Sequence, residues 1–281
     1  MVGYISILLY LIIYMESYKY SVSAETLFLK PAREMHASDV VDRVNFACLY
    51  RVEDILGRAG KMKLEEGDEH PVLHIPANRM GDPYELLYRL QSLGVNKILL
   101  LRGSPAYMTD AARNLKNMIR LFSDSGIEVH VGSYVDDYWF RNSDDQRDKQ
   151  MDILDDKFSL GASRVVTQPS FSIEAMDSWM EAYARRGFNN PVSLGVAPKG
   201  NVFAILKTIR SRLNRFKFNN NKVEIDFVLR LFASIGCDPK KLIAQVHERE
   251  LLLVERGDGF HLTAVPGSDQ IALAEFIKGL E

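Results

Sequence analysis

The chain of 281 residues is long enough for one large domain or two small ones. Hydrophobic residues make up 47% and charged residues 26%, a globular balance, and the formal net charge of −2 excludes a general electrostatic pull toward nucleic acid or acidic membranes. The two cysteines, Cys48 and Cys237, stand in no CxxC or Cys/His cluster, which argues against a metal site or disulfide framework and fits a reducing, cytoplasmic setting.

The chain opens on an almost wholly apolar run, Val2 to Tyr14, of about 13 residues where a spanning helix needs roughly 20. It has the length of a signal h-region but lacks a basic n-region, and no small-residue cleavage site follows cleanly before Glu16 and Lys19. The expectation is a loose or untranslated extension over residues 1–14, translation from Met15, and no stable membrane insertion. A weakly membrane-associating segment is the alternative.

From Tyr20 onward, short β-branched runs alternate with longer amphipathic stretches. Strands are predicted at Ser21–Thr26, Arg43–Tyr50, Val72–Ala77, Lys97–Arg102, Glu128–Tyr134, Arg164–Gln168, Val192–Val196 and Phe260–Val265. Between them, Tyr84, Leu86, Leu87, Leu90 and Leu93 form an apolar helical face behind the start signal Asp82-Pro83. Ala111–Phe122, Gln150–Leu160, Ile173–Ala184 and Val202–Leu213 repeat that pattern. Ile98-Leu99-Leu100-Leu101 is continuously apolar, as a parallel strand buried on both faces should be. Eight strand–helix alternations predict a single-domain α/β fold over residues 15–281, a (β/α)8 TIM barrel. The absence of a glycine-rich fingerprint after the first strand argues against a Rossmann domain. The seventh connection is long. After Asn219-Asn220-Asn221, Lys222–Ile235 reads as an extra helix, and Asp238-Pro239 starts another.

In such a barrel the working groups stand at the C-terminal ends of the strands. In order these positions carry Glu25, Tyr50, His74, Arg102 with Gly103 and Ser104, Tyr134 and Gln168. Each alone has a plain explanation in packing, turn formation or solvation, but six strands in a row present such a group. There is one well-placed acid, no Ser–His or Cys–His signature, and no acid or histidine cluster for a metal. That set argues against nucleophilic or metal-activated hydrolysis and suits chemistry carried by a cofactor.

At these same residues the sequence resembles the methylenetetrahydrofolate reductase family, from about Ser21 to Pro198 with a weaker echo near Gly259–Leu280. Val22-Ser23-Ala24-Glu25 is similar to the family's opening strand and catalytic glutamate, and His74-Ile75-Pro76-Ala77-Asn78-Arg79 to its third strand. Ile98-Leu99-Leu100-Leu101-Arg102-Gly103-Ser104-Pro105 resembles its leucine-rich fourth-strand signature, and Gly132-Ser133-Tyr134 its fifth strand end. Asp156-Lys157-Phe158-Ser159-Leu160-Gly161-Ala162, running into Val165-Val166-Thr167-Gln168, is the longest match, and Pro191 to Pro198 resembles the seventh strand.

The resemblance implies reduction of the methylene group of a tetrahydrofolate, or a related tetrahydropterin, to methyl. FAD and NADH or NADPH would be the cofactors, and a flavin-independent hydride transfer is the variant reading. It implies Glu25 as proton donor, Gln168 and Ser104 at the substrate, and His74, Arg102, Gly103, Ser104, Tyr134 and Lys157 along the cofactor. The departures are specific. Ser104 replaces the family's aspartate, which removes a charge whose electrostatic contribution could be about 3 kcal/mol. Tyr138 replaces a histidine, Asp156 replaces a basic residue and would repel a phosphate, and a Pro-Pro pair after Glu25 is absent. These changes motivate an alternative: a non-catalytic paralogue that binds a folate-like ligand or a partner enzyme. Association as a homo-oligomer or partner subunit is compatible with the sequence, and Lys222–Glu250 offers one face for it.

Overall fold

The computed structural model describes residues 20–26, 42–46, 52–53, 56–57, 60, 72–77, 80–102, 114–135, 144–199, 238–253, 256–263 and 269–280. In chain order the elements are β1 (Ser21–Thr26), β2 (Arg43–Phe46), β3 (Val72–Pro76), α1 (Pro83–Ser92), β4 (Lys97–Leu101), α2 (Leu115–Asp124), β5 (Glu128–Ser133) and α3 (Asp144–Ser159). They continue with β6 (Ala162–Thr167), α4 (Ile173–Arg185), β7 (Val192–Val196), α5 (Pro239–Glu248), β8 (Gly259–Leu262) and α6 (Gln270–Lys278).

All strands are parallel, neighbours in sequence are neighbours in space, and β8 pairs with β1 to close a barrel. The parallel α/β architecture read from the sequence is thus present. The helices predicted at Val202–Leu213 and Lys222–Ile235, the extension 1–14, Tyr50, Tyr138 and both cysteines lie outside the described residues. No helix among the described residues is long and apolar enough to cross a membrane.

Local chemistry sets the element starts. Asp82 caps α1, its side chain accepting from the Tyr84 amide at 2.8 Å, with Pro83 in the first turn. Asp238 and Pro239 repeat the device at α5, and Asp269 caps α6 through the Ala272 amide. At the end of α3, Gly161 adopts φ +99°, a left-handed turn that a side chain would oppose; an added Cβ would also meet Ser123.

The strands face two ways. Val22, Leu73, Ile75, Ile98, Leu100, Val129, Val131, Val165, Val192, Leu194, Val196, Phe260 and Leu262 join the helices in one continuous core. In that core Trp179 stacks on Tyr183 at 5.1 Å between centroids. With a period of two, the alternate residues face the lumen. Among the described residues the apolar cluster there is small: Val72, Leu99 and Val166, with Leu101 against it. Much of the remaining lumen is polar yet buried, with His74, His130, Arg164, Ser193 and His261 each at most 8% exposed. A barrel of this kind is ordinarily filled by branched apolar layers.

The N-terminal end of the barrel is tied together by an ion pair and by hydrogen bonds of a buried arginine. Asp258, buried, accepts from the Val192 amide at 2.7 Å, the Leu253 amide at 2.9 Å and Arg256 Nε at 2.9 Å. Arg164 donates to Ser193 Oγ at 3.1 Å and to the Gly257 carbonyl at 3.0 Å.

Candidate functional site

The opposite end, where the strands finish, carries most of the expected residues. Arg102 follows the last residue of β4 and is exposed. Tyr134 follows β5 and is 43% exposed. Gln168 follows β6, and its amide donates to the Ser133 carbonyl at 2.9 Å, which carries the β5–β6 ladder one step beyond the strand. Three adjacent strand ends, β4, β5 and β6, therefore hold Arg102, Tyr134 and Gln168 side by side.

Lys157 joins this sector from the helical layer. From the last turn of α3 its Nζ donates to the Gly132 carbonyl at 2.9 Å, two residues before Tyr134. Burial lowers the Lys157 ammonium to about 8, because a charge removed from water loses hydration that one carbonyl does not replace. Among the described residues no carboxylate pairs with Lys157 or with Arg102. The neighbouring Asp156 is engaged elsewhere: its carboxylate pairs with Lys116 on α2 at the exposed helix surface.

Two expectations need correction or relocation. His74 is not at a strand end. It is the third of the five residues of β3, 5% exposed, because Ile75 and Pro76 continue the strand past it, and it faces the lumen below the rim. Glu25 is the fifth residue of β1 and pairs in register with Asn45 of β2; its side chain, and all of Gly103 and Ser104, lie outside the described residues. In the ring, β7 and β8 lie between β6 and β1, so Glu25 belongs to a different sector from Arg102, Tyr134 and Gln168. Among the described residues no group of three or more His, Cys, Asp or Glu side chains could hold a metal.

Sequence reasoning missed Gly195. Its amide donates to Thr167 Oγ1 at 2.8 Å and its carbonyl accepts from Ser170 at 3.1 Å. A Cβ at this position would lie 2.4 Å from the Thr167 carbonyl oxygen and 2.6 Å from the Gln168 carbonyl carbon. The missing side chain is what lets the segment bearing Gln168 lie against β7. The signal available in the sequence was a glycine inside a strand, which marks close backbone approach.

The family profile described as methylenetetrahydrofolate reductase matches residues 79–217, a range that holds Arg102, Tyr134, Lys157 and Gln168. Among curated proteins, methylenetetrahydrofolate reductase 1 of Schizosaccharomyces pombe is 28% identical over 121 residues, 40% of this chain. The match spans only 20% of that relative's length. Among solved structures, an uncharacterized protein from Clostridium thermocellum that binds two copies of 5-methyl-5,6,7,8-tetrahydrofolic acid superposes with a TM-score of 0.59 at 11% identity, covering 94% of this chain and 95% of that one. A 2,3-dimethylmalate lyase of the PEP mutase/isocitrate lyase superfamily superposes at 0.50 with 10% identity, over 83% and 91% of the two chains. At such identities these two likenesses speak to the fold.

Proposed function

We propose that the chain is a divergent member of the methylenetetrahydrofolate reductase family and that it is a (β/α)8 oxidoreductase that reduces 5,10-methylene-tetrahydrofolate, or a related tetrahydropterin, to the methyl compound. The observation that carries the reading is that Arg102, Tyr134 and Gln168 follow three adjacent strands while Lys157 reaches the middle one through the Gly132 carbonyl, all inside the segment matched by the family profile.

The residues fit a phosphate-bearing cofactor. Among the described residues Lys157 offers a cation held by the Gly132 carbonyl, and Arg102 an exposed guanidinium with no ion-pair partner. Such cations bind phosphate oxygens as point charge and planar fork respectively. Bound FAD, recharged by NADH or NADPH, would supply the hydride. Tyr134, Gly103 and His74 would border it. Asp156, tied to Lys116 on the helix surface, leaves Lys157 to face the anion.

Glu25 would give a proton to the nitrogen that departs as the five-membered ring opens. For that its carboxyl must stay protonated near neutrality, which needs partial burial, since an exposed glutamate titrates at about 4.3. Gln168 would present donor and acceptor to the pterin edge from the position that Gly195 allows. Ser104 would keep a hydrogen bond where the family has a charge, and slower turnover than a typical member is expected.

Ser104 also supports a second reading, a folate binder without redox turnover. Visible absorption of the purified protein, against a free-flavin control, followed by NAD(P)H oxidation with methylene-tetrahydrofolate, separates the two. Near-stoichiometric flavin with steady turnover supports the reductase. A colourless protein that cannot be reconstituted but turns over supports direct hydride transfer from nicotinamide. Binding of 5-methyltetrahydrofolate without any turnover sinks the reductase and leaves the binder.

A further inference from the structure

In the lumen below the rim, His74 meets a second histidine that the site described so far leaves out. The rings of His74 and His261 lie 5.8 Å apart between centroids, tilted by 41°. Both side chains are buried, at 5% and 3% exposed. Their strand neighbours Leu73, Ile75, Phe260 and Leu262 all belong to the outer core, so the two histidines face inward. β3 and β8 are not adjacent: β1 and β2 separate them on one side and β4 to β7 on the other. The contact therefore crosses the lumen.

What flanks His261 explains how its ring reaches so far. Its register partner on β7 is Gly195 and its register partner on β1 is Ser23. A large residue beside a glycine projects into the space that the missing side chain leaves. The same two partners lead to the proposed chemistry. Gly195 backs directly on the main chain of Gln168, and Glu25 lies two residues beyond Ser23 on β1. His261 thus stands one step below the rim, between the strand that carries Glu25 and the strand that supports Gln168.

We propose that His261 is a positioning residue of this site: it forms the floor of the ligand pocket between Glu25 and Gln168 and fixes the orientation of the His74 imidazole across the lumen. This rests on the folate reading above. The ligand class is a reduced pterin lying over the floor, and the imidazole edge of His74 is the group whose direction His261 sets. Replacing His261 by phenylalanine keeps a ring of similar size and removes its nitrogens, whereas glutamine keeps a polar edge without the ring.

The test is calorimetric titration of 5-methyltetrahydrofolate into protein supplemented with FAD, for wild type, H261F, H261Q, H74F and the H74F/H261F double variant. Variants are compared when they retain the wild-type melting transition, and H261L replaces H261F in the cycle if the latter does not fold. The expected result is a loss of about tenfold in affinity for H261F, binding of H261Q within about threefold of wild type, and a double variant no weaker than H74F alone. Such coupling is the mark of one residue acting through the other. Wild-type binding with H261F unchanged, or with the two losses multiplying, overturns the role of His261 and leaves the folate reading standing. A wild type that does not bind the probe overturns the folate reading itself, and this inference with it.

Discussion

Asp258 gathers two backbone amides and the Arg256 guanidinium in a fully buried place at the N-terminal end of the barrel. Cutting it back to alanine strands a nearly buried arginine and two amides, so Asp258→Ala is expected to cost 3–5 kcal/mol in urea unfolding, about the loss from breaking a buried pair. At Lys157 the prediction concerns pH. Its folded-state value of about 8 lies below the ordinary 10.5, so the penalty for burying the charge is fully present below pH 8 and fades as pH rises toward 10.5. Affinity for a phosphate-bearing ligand should run the other way, falling as pH passes through about 8 because the cation is lost. Titrations of FAD at pH 7 and pH 9 should show that decline in wild type and a flat response in Lys157→Met. For Glu25→Gln, turnover is expected to drop at least about 100-fold with melting unchanged, the scale of a lost general acid. An unaltered turnover number would remove Glu25 from the mechanism.

At the scale of elements, Gly195 in β7 decides where the end of β6 can lie. Gly195→Ala places a methyl against the Thr167 and Gln168 carbonyl groups, backbone atoms that do not yield cheaply. The expected outcome is a stability loss of about 1–3 kcal/mol, together with weakened folate binding as Gln168 is pushed from its place; unchanged binding would show that Gln168 is no ligand contact. Elements whose limits rest on local chemistry were legible beforehand. β1 and β7 have the predicted bounds, and α1 and α5 start at their Asp-Pro signals. Elements whose limits rest on partners were read less well. β6 begins two residues earlier than expected, at Ala162, where the β5–β6 register is irregular. α3 begins at Asp144 rather than Gln150, its first turns being charged and without an apolar stripe. α6 went unread although Asp269 caps it and Leu273, Ala274 and Ile277 line one face. The site divides in the same manner. Arg102, Tyr134 and Gln168 follow strand ends that a sequence can locate, while His74 was misplaced by two residues. The contact between His74 and His261 depends on which strands face each other across a ring, which no local pattern records.

For the molecule as a whole, the ring depends on β8 reaching β1. Gly259 makes that approach close: a Cβ there would lie 1.8 Å from the Ser21 carbonyl oxygen. Gly259→Ala is expected to unfasten this seam, seen as faster hydrogen exchange in β1 and β8 than in β4 and β5; uniform exchange would show that the seam adapts. The seam is reinforced by Lys278 on α6, which bonds both carboxylate oxygens of Asp42 at 2.9 Å across 236 residues of chain. During synthesis on the ribosome, this geometry fixes an order of events. β1 emerges early and waits for a neighbour that is made more than two hundred residues later, so until then β1 is an open edge with unsatisfied amides and carbonyls, joined by β7 once that strand is made. At translation rates of about 5–20 residues per second that interval lasts on the order of ten seconds or more, ample time for pairing with another nascent chain. Those two edges are the places where a chaperone would be needed most.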